Sequence, residues 1–270
     1  MKKRVISGIV FSLIWIAILL INNDWFDTSV VAILSLIATY EYFKAFKNAG
    51  HNPISWIGYL GCLTIFLMGG IIPEEYKVLL LKIVVPLGLI SAFTYMILGK
   101  VKRTIIDVAI TIFSLLYIPF LFSFIKLILD MEYGRFFILY VLCGAFISDT
   151  FAFLVGSKLG KTKLAPDISP NKTVEGSIGG IVGVIIFYIV ITLIGKEVLA
   201  VDVNVFYWIL AGIAAAVAGQ FGDLTASAIK RYCKVKDFGN IMPGHGGILD
   251  SFDSLMFVAP IVYIFIKLYI

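Results

Sequence analysis

Charge is scarce in this chain. Only 14% of its 270 residues are Asp, Glu, Lys or Arg, against roughly 25% in soluble globular proteins. Hydrophobic residues make up 60%, and the mean hydropathy is +1.01. That balance excludes a soluble domain and assigns the chain to a bilayer. Sustained apolar–polar alternation is also missing, which excludes a transmembrane β-barrel. Backbone exposed to lipid must satisfy its own hydrogen bonds, so helices remain. Cysteine is limited to Cys62, Cys143 and Cys233, without paired spacing, and this argues against a disulfide framework or a zinc site. There is no low-complexity linker and no fixed-period or inverted repeat, and a separate soluble domain has no room.

What the chain does have is apolar runs of spanning length, roughly 17 to 25 residues. Nine are predicted, at about 5–21, 28–43, 55–72, 78–98, 104–129, 136–155, 177–195, 205–222 and 254–269. The fold class is therefore an all-α, polytopic integral membrane helix bundle. Residues 1–135 read as five N-terminal spans. Residues 136–270 read as a catalytic region of four spans with two basic loops. The start, Met1-Lys-Lys-Arg4, precedes an apolar run without a small-residue cleavage site, so it reads as a retained first span rather than a signal peptide.

Orientation follows from the basic residues. With a cytoplasmic N-terminus, sixteen of the 22 lie on cytoplasmic segments, and the exceptions are Lys77, Lys82, Lys126, Arg135, Lys196 and Lys267. The opposite loops are expected to hold Asp24, Asp27 and Asp130, among other acids. An odd number of spans with an outside C-terminus results. The net charge of +5 then reflects topology and a basic cytoplasmic face suited to anionic lipid and nucleotide, with no evidence for nucleic-acid binding. The expected location is the bacterial inner membrane.

The N-terminal half says little about chemistry. Glu41 and Asp107 read as interfacial charges beside Lys44 and Arg103, and His51 as a solvated loop side chain. Pro86 and Pro119 should kink their spans. Polar residues then enter places where a simple anchor would not have them. Asp149 lies inside the sixth span, where a carboxylate costs roughly 2.5 to 3.5 kcal/mol on insertion scales and needs a partner or a watered cavity. The loop 156–176 is long, basic and punctuated by proline. Small residues at Gly176, Gly179, Gly180 and Gly183, and again at 211–219, suit close helix packing. Asp223, Ser227 and Lys230 share a helix face.

The densest polar stretch is 227–253. Lys230, Arg231, Lys234 and Lys236 precede Pro243-Gly244-His245-Gly246-Gly247, and Asp250 and Asp253 follow at the threshold of the last apolar segment. Glycines beside cations read as a phosphate-handling turn. Four carboxylates, Asp149, Asp223, Asp250 and Asp253, would repel an anionic substrate unaided. A hard divalent cation such as Mg²⁺ resolves the conflict by taking carboxylate and phosphate oxygens together. Lys172, Lys230, Arg231 and His245 then serve as phosphate clamps. Residue types and placement thus point to metal-dependent phosphoryl-type transfer at a membrane surface.

This run resembles the signature of the phosphatidate cytidylyltransferases, or CDP-diacylglycerol synthases, with Ser227, Lys230, Arg231, Lys236, Asp237, His245, Gly246, Gly247, Asp250 and Asp253 on the pattern. Pro243 falls one place early, and Ser251 stands where the family usually has arginine. A second block, Ser169, Pro170, Lys172, Thr173, Glu175 and Gly176, also matches, as do Asp149 and Thr150 upstream. The resemblance implies that phosphatidate attacks the α-phosphorus of CTP, giving CDP-diacylglycerol and pyrophosphate. It implies Mg²⁺ on Asp223 and Asp250, and catalytic work by Asp223, Asp250, Asp253, Lys230 and His245. Substrate contacts fall to Asp149, Lys172, Thr173, Ser227, Arg231, Gly246 and Gly247. Partners would be CTP, phosphatidate and membrane lipids, and a homodimer stays open. The alternatives are another CTP-dependent lipid enzyme, such as a polyprenol kinase, and an ion-coupled transporter.

Overall fold

A computed structural model describes residues 13, 15–69, 71–199, 204–242, 244 and 246–269. It divides into two compact units. The first comprises the chain up to Asp130 together with Tyr232–Ser251, and the second comprises Met131–Arg231 with Phe252–Ile270. The signature turn, which the sequence attached to the C-terminal region, thus belongs with the N-terminal helices.

In the first unit, helices α1 (Asp24–Asn48), α2 (Ser55–Leu67), α3 (Glu74–Leu98), α4 (Ile105–Tyr117) and α5 (Pro119–Leu129) follow a helical stretch at residues 15–20. The second holds α6 (Gly134–Leu142), a wider π-type turn at Cys143–Ile147, α7 (Ser148–Leu159), strands β1 (Lys163–Ala165) and β2 (Ser169–Thr173), α8 (Val174–Leu199) and α9 (Val205–Tyr232). Helix α10 (Ile248–Tyr269) begins at the signature turn.

Among the described residues, seven helical segments are long and apolar enough to cross a bilayer: Asp24–Asn48, Glu75–Leu98, Ile105–Leu129, Gly134–Leu159, Val174–Glu197, Val205–Tyr232 and Ile248–Tyr269. The protein is an integral membrane helix bundle. The span expected at 55–72 has a shorter regular helix than predicted: α2 has 13 residues, about 20 Å at 1.5 Å per residue, and the segment returns the chain from the end of α1 to its start, where a Cβ on Gly69 would meet Thr28. The span expected at 5–21 lies mostly outside the described residues.

Helix ends are set by local chemistry. Asn23 caps α1 by accepting the Phe26 N–H at 2.9 Å. Thr104 and Asp107 form a reciprocal capping box at the start of α4. Asp107 is therefore no interfacial charge. It is buried, and its second oxygen accepts the Asn52 N–H at 2.6 Å. Pro119 does interrupt its span, because the chain leaves helical geometry at Ile118 and restarts as α5. Pro86 sits within α3. His51 is half-buried: its Nε2 lies 2.8 Å from the Tyr232 hydroxyl, and the two rings stack.

Two lysines expected in outer loops are buried. Lys126 pairs with both Asp24 and Asp130, and Lys77 donates to Asp130 at 2.7 Å. Unpaired ammonium groups here would cost several kcal/mol, so each draws a carboxylate inward with it.

The second unit packs around a buried aromatic cluster in which Tyr140 stacks on Trp208 at 4.2 Å and Tyr188 donates to the Tyr140 carbonyl at 2.8 Å. Helices α7 and α8 meet over glycine. A Cβ on Gly176 would lie 2.7 Å from the Ala152 carbonyl oxygen, and one on Gly180 would lie 2.8 Å from that of Ser148. The small-residue stripe is used for close packing, as expected. Within the loop 156–176 the chain folds as a short antiparallel hairpin pairing Lys163 with Thr173 and Ala165 with Ser169. Glu175 steadies it by accepting the Lys161 and Thr162 N–H groups at 3.0 and 3.1 Å.

Candidate active site

The second unit gathers most of the predicted polar residues. Asp149 stands on the first turn of α7, directly after the π-type turn that shifts the helical register before it. Asp223 projects from α9, which runs unbroken through Arg231 to Tyr232 as the shared face of Asp223, Ser227 and Lys230 requires. Lys172 comes from β2 and forms an ion pair with Asp223 Oδ2. One turn along α9, the Ser227 hydroxyl donates to Asp223 Oδ1 at 3.3 Å.

Asp149, Lys172, Thr173 and Asp223 line a cavity of about 620 Å³, together with Ser177 and Gln220. Asp149 is exposed to this cavity, whereas Asp253 is 7% exposed. Their carboxylates are linked through Ser254, whose hydroxyl lies 3.4 Å from Asp149 Oδ2 and 3.4 Å from Asp253 Oδ1. Asp253 Oδ1 also accepts the Ser254 N–H at 2.7 Å. Asp149, Asp223 and Lys230 all act electrostatically on Asp253. Three carboxylates therefore share one neighbourhood with two lysines.

The remaining residues of this unit have more local roles. Thr173 caps α8, its hydroxyl accepting the Gly176 N–H at 3.1 Å. Arg231 donates from Nε to the Ile168 carbonyl at 3.1 Å, tying α9 to the hairpin.

The signature turn belongs to the first unit. Met242 and Gly246 exchange both backbone hydrogen bonds, 2.8 and 3.0 Å, closing a tight loop in which Gly244 and Gly246 adopt φ of 89° and 95°. Side chains rarely reach that left-handed region, so glycine is required at both places. Asp250 Oδ2 accepts the Gly247 and Phe238 N–H groups at 2.9 and 2.8 Å. The Ser251 hydroxyl donates to the Gly247 carbonyl at 2.9 Å, a helix-start bond in the place where the family carries arginine. Pro243 and His245 lie outside the described residues.

Four residues here escaped the sequence reading. Ser254 bridges two carboxylates, and the signal was its position directly after Asp253. Gln220 and Ser177 hold one another across the cavity wall, with Gln220 Nε2 donating to the Ser177 carbonyl at 3.0 Å. An amide in an apolar span one turn before Asp223 was the clue. The fourth is Glu41, which is no interfacial charge. It is 2% exposed, and its Oε2 accepts the Leu249 N–H at 2.9 Å. The argument that singled out Asp149, a carboxylate within a span, applies equally to it.

The donor set bears on a divalent cation. Among the described residues, no three His, Cys, Asp or Glu side chains converge as a protein-only cage. Mg²⁺ does not need one, since it is commonly held by one or two carboxylates, with water and substrate phosphates completing the shell. Asp223, half-buried at the cavity wall with Asp149 and Asp253 near it, fits that kind of site.

The model of the cytidylyltransferase family matches residues 2–269. The chain is 33% identical to a phosphatidate cytidylyltransferase of Bacillus subtilis, with 100% of this chain and 98% of the relative covered. It is 34% identical to one from Staphylococcus aureus and 33% identical to one from Staphylococcus haemolyticus, with 98% of each chain covered. With matches of this strength along its whole length, the chain belongs to the cytidylyltransferase family.

Proposed function

We propose that the protein transfers the cytidylyl group of CTP to phosphatidate, forming CDP-diacylglycerol and pyrophosphate in phospholipid synthesis. A phosphate oxygen of phosphatidate attacks the α-phosphorus of CTP, the bond from that phosphorus to the bridging oxygen breaks, and pyrophosphate departs. The attacking phosphate monoester is already a nucleophile at neutral pH, so no general base is assigned. Catalysis rests on positioning and on charge complementarity.

The observation that carries this reading is the Asp149, Asp223, Asp253, Lys172 and Lys230 cluster at an open cavity in a chain of this family. Lys172 and Lys230 would hold phosphate oxygens. The Lys172–Asp223 pair holds the lysine at the cavity wall, and a phosphate would compete with the carboxylate for the ammonium. Ser227 and Ser254 orient the carboxylates they touch. Asp223 is the proposed metal carboxylate, with Asp149 and Asp253 as helpers. The motif also nominates Asp250, and that nomination rests on the resemblance alone, as do phosphate-holding roles for His245 and Arg231. When bound, Mg²⁺ would neutralise charge building on the departing pyrophosphate. The active-site face is proposed to be cytoplasmic, in the bacterial inner membrane, where the basic loops lie.

The test is direct. Detergent-purified protein given CTP, Mg²⁺ and phosphatidate should release pyrophosphate and form a liponucleotide. Absence of both products, or phosphorylation of a polyprenol instead, would overturn the proposal.

A further inference from the structure

One buried carboxylate has no part in the scheme above. Glu41 lies on α1, and besides the bond from Leu249 to Oε2 its Oε1 is buried with no hydrogen-bond partner. Leu249 is the second residue of α10, where N–H groups lack partners within the helix and a negative charge is favoured. Glu41 thus caps α10 from a helix some two hundred residues away in sequence, |i−j| = 208.

The carboxylate occupies a slot made by two glycines. A Cβ on Gly239 would fall 2.6 Å from Glu41 Cδ, and a Cβ on Gly247 would strike the same carboxylate. Gly247 is not among the glycines of positive φ, so backbone conformation does not call for glycine there. Room for Glu41 does. On its other side, Gly247 donates its N–H to Asp250 Oδ2. The second glycine of the signature is therefore held between two carboxylates, one of the signature and one from α1.

We infer that Glu41 is the positioning residue of the signature turn: it sets the start of α10 and the placement of Gly247, and through Gly247 the aim of Asp250. This deepens the proposed function and rests on it for its kinetic readout. Amide exchange supplies a readout that does not. Glu41→Leu removes the acceptor and the charge at similar volume, while Glu41→Gln keeps one acceptor for Leu249 and loses the charge.

In the wild-type protein, the assay with CTP, Mg²⁺ and phosphatidate first establishes turnover. If no liponucleotide forms, the functional reading fails, and exchange at residues 246–250 still decides the positioning role. Glu41→Leu should lower kcat about 10²-fold, the order expected for a misplaced catalytic group, with little change in KM for CTP. Glu41→Gln should lower it roughly 10-fold, since it retains part of the interaction. Exchange should quicken across 246–250 in the order Leu, Gln, wild type, and stay unchanged in α3 and α4. Adding Gly247→Ala should cost less in Glu41→Ala than in the wild type, because the slot is then vacant.

A folded Glu41→Leu protein with wild-type kcat and wild-type exchange overturns the inference. So does exchange that quickens throughout the first unit while kcat per folded molecule is unchanged, which would mark a merely structural side chain. If Glu41→Leu does not fold, Glu41→Gln decides alone: wild-type kcat together with wild-type exchange refutes the role.

Discussion

Asp223→Asn separates stability from catalysis most cleanly. The substitution keeps the shape of the side chain and removes its charge, so it breaks the Lys172 ion pair and leaves a weaker acceptor for Ser227. The paired side chains are 24% and 28% exposed, which places the pair close to the surface class, worth roughly 0 to 1 kcal/mol. A loss of about 1 kcal/mol shifts Tm by roughly 2–4 °C in chains of this order of size. Transfer should respond very differently. A preorganised charge aimed at the departing phosphates is worth about 2.7–4 kcal/mol, or roughly 10²–10³ in kcat. The assay measures liponucleotide formed from radiolabelled CTP at saturating Mg²⁺, beside a thermal unfolding scan in the same detergent. An Asp223→Asn protein that melts within a few degrees of wild type yet turns over at a near-normal rate would refute the argument. Collapse of stability without substrate would refute it too, since the residue would then be a structural one.

Four further outcomes are expected. Gly176→Ala places a methyl against the Ala152 carbonyl and should destabilise the α7–α8 contact by about 1–3 kcal/mol, seen as a lower Tm with faster exchange in the hairpin. Asp130→Asn leaves Lys77 and Lys126 without their shared carboxylate and should cost roughly 3–5 kcal/mol, while turnover per folded molecule is kept. Ser251→Arg loses only the hydroxyl bond to Gly247, so it should fold and keep or raise activity; activity as low as that of Asp250→Asn would show that this turn is built differently from the family pattern. Reporters fused after Ile270 and placed in the 156–176 segment should fall on opposite sides of the membrane, and the same side for both would refute the orientation.

Composition alone decided that the chain is a membrane protein built of helices, because 14% charge and long apolar runs leave no other way to satisfy the backbone in lipid. Two motif blocks, Ser169–Gly176 and Ser227–Asp253, carried the family and named Lys172, while a carboxylate inside a span singled out Asp149 and helical spacing to Ser227 and Lys230 singled out Asp223. The membrane class and the family were legible because they depend on local residue type and spacing. Tertiary structure decided the rest. The end of α2 at Leu67 could not be told from the expected 72 by hydropathy, since apolar residues run on past the helix into a loop. Lys77 and Lys126 looked like loop charges until Asp130 was seen to pair with both, a fact set by packing between distant helices. The same holds for Ser254, which matters only because Asp149 is brought to it from 105 positions away. Glu41 shows the limit most sharply: nothing within its own helix hints that its carboxylate will fill the space between Gly239 and Gly247, because sequence spacing reports which residues share a face and cannot report which distant backbone will need that face.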